Sequence, residues 1–184
     1  MDGGATTGGL QLWILRHAEA RAGSSGGRDR DRPLTADGRA QAAGLGARLT
    51  GSGPPLGVEG LRRPEVALVS AATRTVETAG LVCGGLDWVR TEAYVSLYSA
   101  GPETVLTYLR EVDDDARTAL VVGHNPTVSY LAADLVGQST EDGEAVVGRG
   151  LSPCALAVVD LSADRWADVE VGTGRLVGLF GPPY

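Results

Sequence analysis

The sequence predicts an α/β fold, a three-layer α/β/α sandwich around a mainly parallel central sheet. Two observations carry that expectation. Short apolar runs alternate along the chain with segments that have helix-start signals and helical spacing. The runs at residues 10–15, 66–69 and 119–123 lack the polar alternation of a half-exposed strand, with only Gln11 interrupting the first. Continuous apolar strands of this kind are covered on both faces.

The elements follow in order. After the first strand, residues 18–33 form a long loop, whose stretch GSSGGRDRDR (23–32) is expected to be flexible by composition. Thr35 caps the first helix, with Asp37 in its first turn and Leu34 placed as a hydrophobic staple. Ala40, Ala43, Leu45 and Leu49 suggest its buried face, which Gly44 and Gly46 weaken. Residues 51–60 read as a loop. The 66–69 strand ends at Ser70, where SAATRTVETAGLV begins a helix with Val76, Ala79 and Val82 on one side. Residues 88–91 form a weak strand, and Gly101-Pro102-Glu103 opens a helix that runs to Val112. The 119–123 strand ends at His124. Asn125 then caps a helix starting at Pro126, with Val128, Leu131, Ala132 and Leu135 inside. Residues 140–150 read as a polar, acidic connection, and 154–159, 166–171 and 175–180 as strands. No internal repeat is visible.

Composition sets the bounds. The 184 residues suit one domain, residues 10–184, behind a polar, Gly-rich disordered leader at residues 1–9. The leader lacks the basic start and apolar stretch of a signal peptide, and no apolar run of about 18 residues implies a membrane span. A cytoplasmic protein is expected. The net charge of −7 argues against nucleic acid or an anionic membrane as partner. All 16 basic residues are Arg, which excludes a Schiff-base lysine and a Walker A lysine. Cys83 and Cys154 make neither a disulfide framework nor a zinc site. Six residues separate Cys83 from Arg90, where a cysteine-dependent phosphatase has five, so Cys83 is expected in the core.

Three strand-to-helix junctions concentrate the chemistry. The first carries Arg16-His17, the second Ser70 and Arg74, the third His124-Asn125. Both histidines of the chain stand at or just after a strand end, where open α/β sheets bind ligands. Two guanidiniums can grip one phosphoryl group, and their charge helps keep a nearby imidazole neutral and nucleophilic. The helix N-termini at these junctions would add positive potential. A metal on His17 and His124 ranks lower: two arginines beside a cation are unfavourable, and Glu19 is the only acid close to His17 in sequence. Arg74 could instead pair with Glu77 along one helix face. Arg21, Arg28, Arg30 and Arg32 could extend a positive surface, but interleaved Asp29 and Asp31 favour a solvated loop.

The four segments LRHAEA (15–20), RPLTADGRAQA (32–42), SAATRTVETA (70–79) and VVGHNPTVSYLA (121–132) resemble, in order, the histidine phosphatase superfamily in its SixA-like phosphohistidine phosphatase branch. The resemblance implies a phosphoglycerate mutase-like fold and no cofactor or metal. It makes His17 the phosphorylated nucleophile, Arg16 and Arg74 phosphate ligands, and His124 the second histidine of the site, with Asn125 beside it as a further binding residue. Ala18 stands where the family usually has Gly. Relatives outside this branch carry a carboxylic acid that protonates the leaving oxygen; Glu92 and Glu103 are its weak candidates here. An imidazole leaving group can already be protonated near neutral pH, with a reference pKa of about 6.5, and needs that acid less than an alkoxide does. The short 88–102 stretch leaves the site open, to a phosphorylated protein or to a small phosphate ester. Openness does not choose between them; the resemblance makes protein phosphohistidine the first expectation for substrate. A small-molecule phosphomonoesterase and a non-catalytic phosphate-binding module are the alternatives.

Overall fold

A computed structural model describes residues 9–23, 27–137 and 140–184. The expected leader falls almost wholly on residues 1–8, outside the described residues, as does the 24–26 part of the Gly-rich loop.

Among the described residues, six strands form one sheet: β1 (Leu10–Arg16), β2 (Val66–Ser70), β3 (Arg90–Tyr94), β4 (Thr118–Gly123), β5 (Leu156–Leu161) and β6 (Arg175–Phe180). Their order is β3-β2-β4-β1-β5-β6. The β3, β2, β4 and β1 strands are mutually parallel, while β5 and β6 are antiparallel to their neighbours. Among the described residues, five helices pack around the sheet: α1 (Ala36–Thr50), α2 (Thr73–Cys83), α3 (Pro102–Arg110), α4 (Thr127–Val136) and α5 (Glu141–Arg149).

Alternate residues of the central strands enter two separate cores. Leu10, Leu12 and Ile14 of β1 join Val105, Leu109, Leu131 and Val146 from α3, α4 and α5. Trp13 and Leu15 join Ala42, Leu45, Ala79 and Val82 from α1 and α2. Both faces are covered, which is why β1, β2 and β4 show no polar alternation. No described helix is long and apolar enough to cross a membrane.

Several elements differ from the sequence reading. The buried face of α1 is Gly38, Ala42, Leu45, Gly46 and Leu49, while Ala40 and Ala43 face solvent. The helix lies so close to α2 that a Cβ on Gly46 would stand 2.5 Å from the Leu81 carbonyl oxygen. The glycine that weakens the helical pattern is thus what lets the two helices meet. Val76 of α2 is 45% exposed. The edge strand β3 starts two residues later than expected, leaving Trp88 exposed. Residues 140–150 are not a plain connection but contain α5, whose N-cap Thr140 accepts from the Gly143 amide and whose acidic first turn suits the helix dipole. Residues 166–171 do not form a strand. Trp166 opens a 3-10 turn, is fully buried, and donates its indole N–H to the Ala116 carbonyl at 2.6 Å.

Candidate active site

The parallel register sets the carboxyl edge. Arg16 pairs with Gly123 and Val69 with Val122, so the residues after β1, β2 and β4 emerge side by side. The His17 amide donates to the Gly123 carbonyl at 3.0 Å, which ties the end of β1 to the end of β4. His17 Nδ1 lies 2.7 Å from the Ala18 carbonyl oxygen. A carbonyl only accepts, so Nδ1 carries the proton and the Nε2 lone pair is free. Ala18 is fully buried, its amide donates to Thr78 Oγ1 at 3.0 Å, and its φ is not positive. That backbone accepts a Cβ, which accounts for alanine after the histidine.

The RPLTADG segment supports the same loop from behind. The Thr35 amide donates to the Glu19 carbonyl at 3.0 Å, and Ala20 and Leu34 form an antiparallel bridge. A Cβ on Gly38 would lie 2.0 Å from the Glu19 carbonyl oxygen, so only glycine lets the first turn of α1 approach the loop after His17 this closely. The Glu19 carboxylate itself accepts from Thr35 Oγ1 at 2.9 Å.

The His17 and His124 rings lie 5.2 Å apart between centroids. His124 Nε2 is 2.9 Å from the hydroxyl of fully buried Ser70. When Ser70 donates, the neutral His124 ring carries its proton on Nδ1. Arg16 donates through Nη1 to the Leu151 carbonyl at 2.8 Å. Among the described residues, the buried side-chain nitrogens and oxygens without a hydrogen-bond partner are Arg16 Nε and His124 Nδ1. A buried donor left unpaired costs about 1–3 kcal/mol, and an oxyanion between these groups would satisfy both.

Arg74, in the first turn of α2, is 6% exposed. It does not pair with Glu77, which instead receives Arg39 at 2.9 Å and the Leu34 amide at 3.1 Å. Arg74 donates through Nη1 to the Asp29 carbonyl at 2.8 Å and through Nη2 to Asp29 Oδ2 at 3.0 Å. Tyr98 donates to the same Oδ2 at 2.7 Å, and Arg32 binds Oδ1 at 2.7 Å. The Tyr98 ring stands edge-on to His124 with centroids 5.7 Å apart and lies 5.9 Å from the Arg74 guanidinium carbon. Residues 29–31 are solvent-exposed, as the interleaved charges suggest, yet Asp29 and Arg32 also reach the site through these contacts. Asp29 and Tyr98 escaped the sequence reading; the one available signal was an arginine at a sheet edge that needed an anchor.

Burial, opposed by the Ala18 hydrogen bond and reinforced by Arg74, Arg16 and Arg32, lowers the His17 pKa from 6.5 to about 4. Burial, then Arg74 and His17, lowers that of His124 to about 3. Both rings are neutral near pH 7. Hydrogen bonds from Arg32 and Tyr98 hold the Asp29 carboxyl well below the usual carboxylate range.

Other candidates stand elsewhere or act differently. Asn125 does not cap α4, whose N-cap is Pro126. Its amide donates to the Leu151 carbonyl at 2.8 Å and accepts from Ser129 Oγ at 2.8 Å. Asn125 thus shares with Arg16 the carbonyl that holds it. Glu92 is exposed on β3 and accepts from Tyr94, while Glu103 is exposed in the first turn of α3. Cys83 and Cys154 are buried thiols, pushed up by burial to about 11 and about 12, far from nucleophilic thiolates. Among the described residues no group of three His, Cys, Asp or Glu could hold a metal ion.

A histidine with a free Nε2, a second histidine, the buried Arg74 and the half-buried Arg16 thus meet at one sheet edge. The chain belongs to the histidine phosphatase superfamily: the model of its branch 1 matches residues 12–95. The chain is 37% identical over 171 residues to the uncharacterized protein Rv1276c of Mycobacterium tuberculosis, covering 91% of this chain and 99% of that protein. Its fold is similar to SixA of Nakamurella multipartitia, with TM-score 0.81, 29% identity, and coverage of 97% of this chain and 99% of that one. It is also similar to the protein histidine phosphatase SixA complexed with tungstate, with TM-score 0.70, 25% identity, and coverage of 94% and 97%. An alpha-ribazole-5'-P phosphatase of Escherichia coli, at 20% identity and TM-score 0.63 over 92% and 96% of the two chains, shares the fold.

Proposed function

We propose that this chain is a metal-independent phosphatase that works through a phosphohistidine on His17 and removes phosphate from protein phosphohistidine. The observation that carries the proposal is the pair of unpaired buried groups, Arg16 Nε and His124 Nδ1, beside a His17 whose Nε2 is free. A phosphoryl group gives those donors acceptors and places phosphorus before a lone pair. Tungstate, the ligand of the SixA structure named above, is likewise a tetrahedral oxyanion.

The reaction has two displacements. His17 Nε2 attacks phosphorus as the bond to the leaving nitrogen breaks, and Arg16, Arg74 and His124 hold the equatorial oxygens. Water then displaces Nε2 from phosphorus, which restores His17 and releases phosphate. Asn125 contributes by fixing the Leu151 carbonyl that positions Arg16.

The leaving group separates phosphohistidine from an ordinary ester. The carboxylate that touches Arg74 is Asp29, and its donors keep it ionised, so it cannot protonate an alkoxide. An imidazole, with a reference pKa of about 6.5, can already be protonated near neutral pH and so depends less on an enzyme acid. Phosphorylated proteins of the cytoplasm are the partners this reading assigns.

The test compares a phosphohistidine peptide, p-nitrophenyl phosphate and an alkyl phosphate, each with and without EDTA. The expected order of kcat/KM is P–N substrate, then activated aryl ester, then alkyl ester, unchanged by the chelator. Preference for the alkyl ester would make the protein a small-molecule phosphomonoesterase. Phosphate binding without turnover of any of the three would make it a binding module.

A further inference from the structure

We infer that Asp29 is a positioning residue for phosphate binding: it fixes Arg74 and Tyr98 in place before substrate arrives. The inference rests on the reading of Arg74 as a phosphate ligand, and adds a part to that site from a loop that carries no strand.

The geometry is specific. Asp29 meets Arg74 twice, through its main-chain oxygen at Nη1 (2.8 Å) and its carboxylate at Nη2 (3.0 Å). A guanidinium has five N–H groups, so Arg74 retains three for another acceptor. The carboxylate is itself anchored, with Arg32 on one oxygen at 2.7 Å and Tyr98 joining Arg74 on the other at 2.7 Å. Tyr98 in turn stands edge-on to His124. One carboxylate thus links three groups around the phosphoryl space: a cation, an aromatic wall and, through that wall, the second histidine.

Preorganisation gives this arrangement its use. An arginine side chain has several rotatable bonds, and freezing them during binding weakens affinity. Asp29 freezes them beforehand. Its negative charge does not cancel the site, because Arg16, Arg32 and Arg74 leave a positive excess beside two neutral imidazoles. A carboxylate that merely competed with phosphate would not need Arg32 and Tyr98 as further donors.

The test is a double-mutant cycle read by binding of inorganic phosphate, measured calorimetrically on the full chain. Asp29→Ala removes the carboxylate and keeps the main-chain contact. It is expected to weaken phosphate about 10- to 100-fold, the range for losing a hydrogen bond to a charged group. In an Arg74→Ala background the same change is expected to cost less than about 3-fold, because Asp29 acts through Arg74. Asp29→Asn keeps an acceptor oxygen, should give an intermediate loss, and serves if Asp29→Ala does not fold. Tighter phosphate binding by Asp29→Ala, or an undiminished loss in the Arg74→Ala background, would overturn the proposal. The readout needs no turnover. A wild-type chain that binds phosphate but hydrolyses nothing would refute the phosphatase reading and leave this one intact; a chain that binds no phosphate would refute both.

Discussion

Arg74→Ala separates catalysis from folding. The side chain is 6% exposed, and its guanidinium is held by Asp29 at 2.8 and 3.0 Å. Removing a primary charged donor from a developing oxyanion costs about 3–4 kcal/mol, or roughly 10²- to 10³-fold in kcat. The cost to the fold is much smaller. Asp29 keeps Arg32 and Tyr98, and its side chain is 51% exposed, so water can replace the lost partner. A half-exposed ion pair contributes up to about 1 kcal/mol. Steady-state hydrolysis of p-nitrophenyl phosphate and a thermal melt measure the two effects on one sample. A kcat within about threefold of wild type would refute the assignment of Arg74 to the transition state. A parallel collapse of the melt would show that its role is structural.

Other consequences are equally checkable. His17 is neutral in both folded and unfolded chains above pH 6.5; between 6.5 and about 4 only the unfolded chain takes the proton. Stability therefore falls as the pH drops through that window, and denaturant melts should show it. Activity needs neutral Nε2, so kcat should stay flat until the pH nears about 4; an acid limb near 6.5 would contradict the buried, arginine-flanked setting of His17. Ser70→Ala removes the partner of His124 Nε2 and should lower kcat about tenfold or more while inorganic phosphate still binds; an unchanged kcat would deny Ser70 that orienting role. Gly38→Ala would normally gain about 1 kcal/mol of helix propensity. Here the Cβ meets the Glu19 backbone at 2.0 Å, so a loss of about 1–3 kcal/mol in a urea melt is expected, and a stabilised variant would contradict the close approach.

What the sequence revealed, and what it hid, follows from how local each determinant is. The β1, β2 and β4 strands are legible because burial on both faces removes polar residues from the run itself. Arg16, His17, Ser70 and His124 are legible because each ends or directly follows such a strand. The α5 helix is hidden by Gly143 and Gly148 and by its acidic first turn, although Thr140 supplies an ordinary cap. Trp166 looks like strand material because it is large and apolar, yet its indole N–H is satisfied by Ala116 from a 3-10 turn. Asp29 is the deepest miss. It lies 45 residues from Arg74 in a stretch whose composition says loop, and its partners, Arg74 and Tyr98, are set by the topology of the sheet.

Phosphorylation of His17 itself is the most direct measurement. The protein is mixed with a phosphohistidine peptide, quenched in alkali, digested, and searched by mass spectrometry for a phosphoryl group on the peptide that contains residue 17. The expected result is an acid-labile adduct on His17 that forms within the first turnover and is lost in His17→Ala together with hydrolysis. Undiminished hydrolysis by His17→Ala, or a phosphoryl group trapped on any other residue, would contradict the central claim.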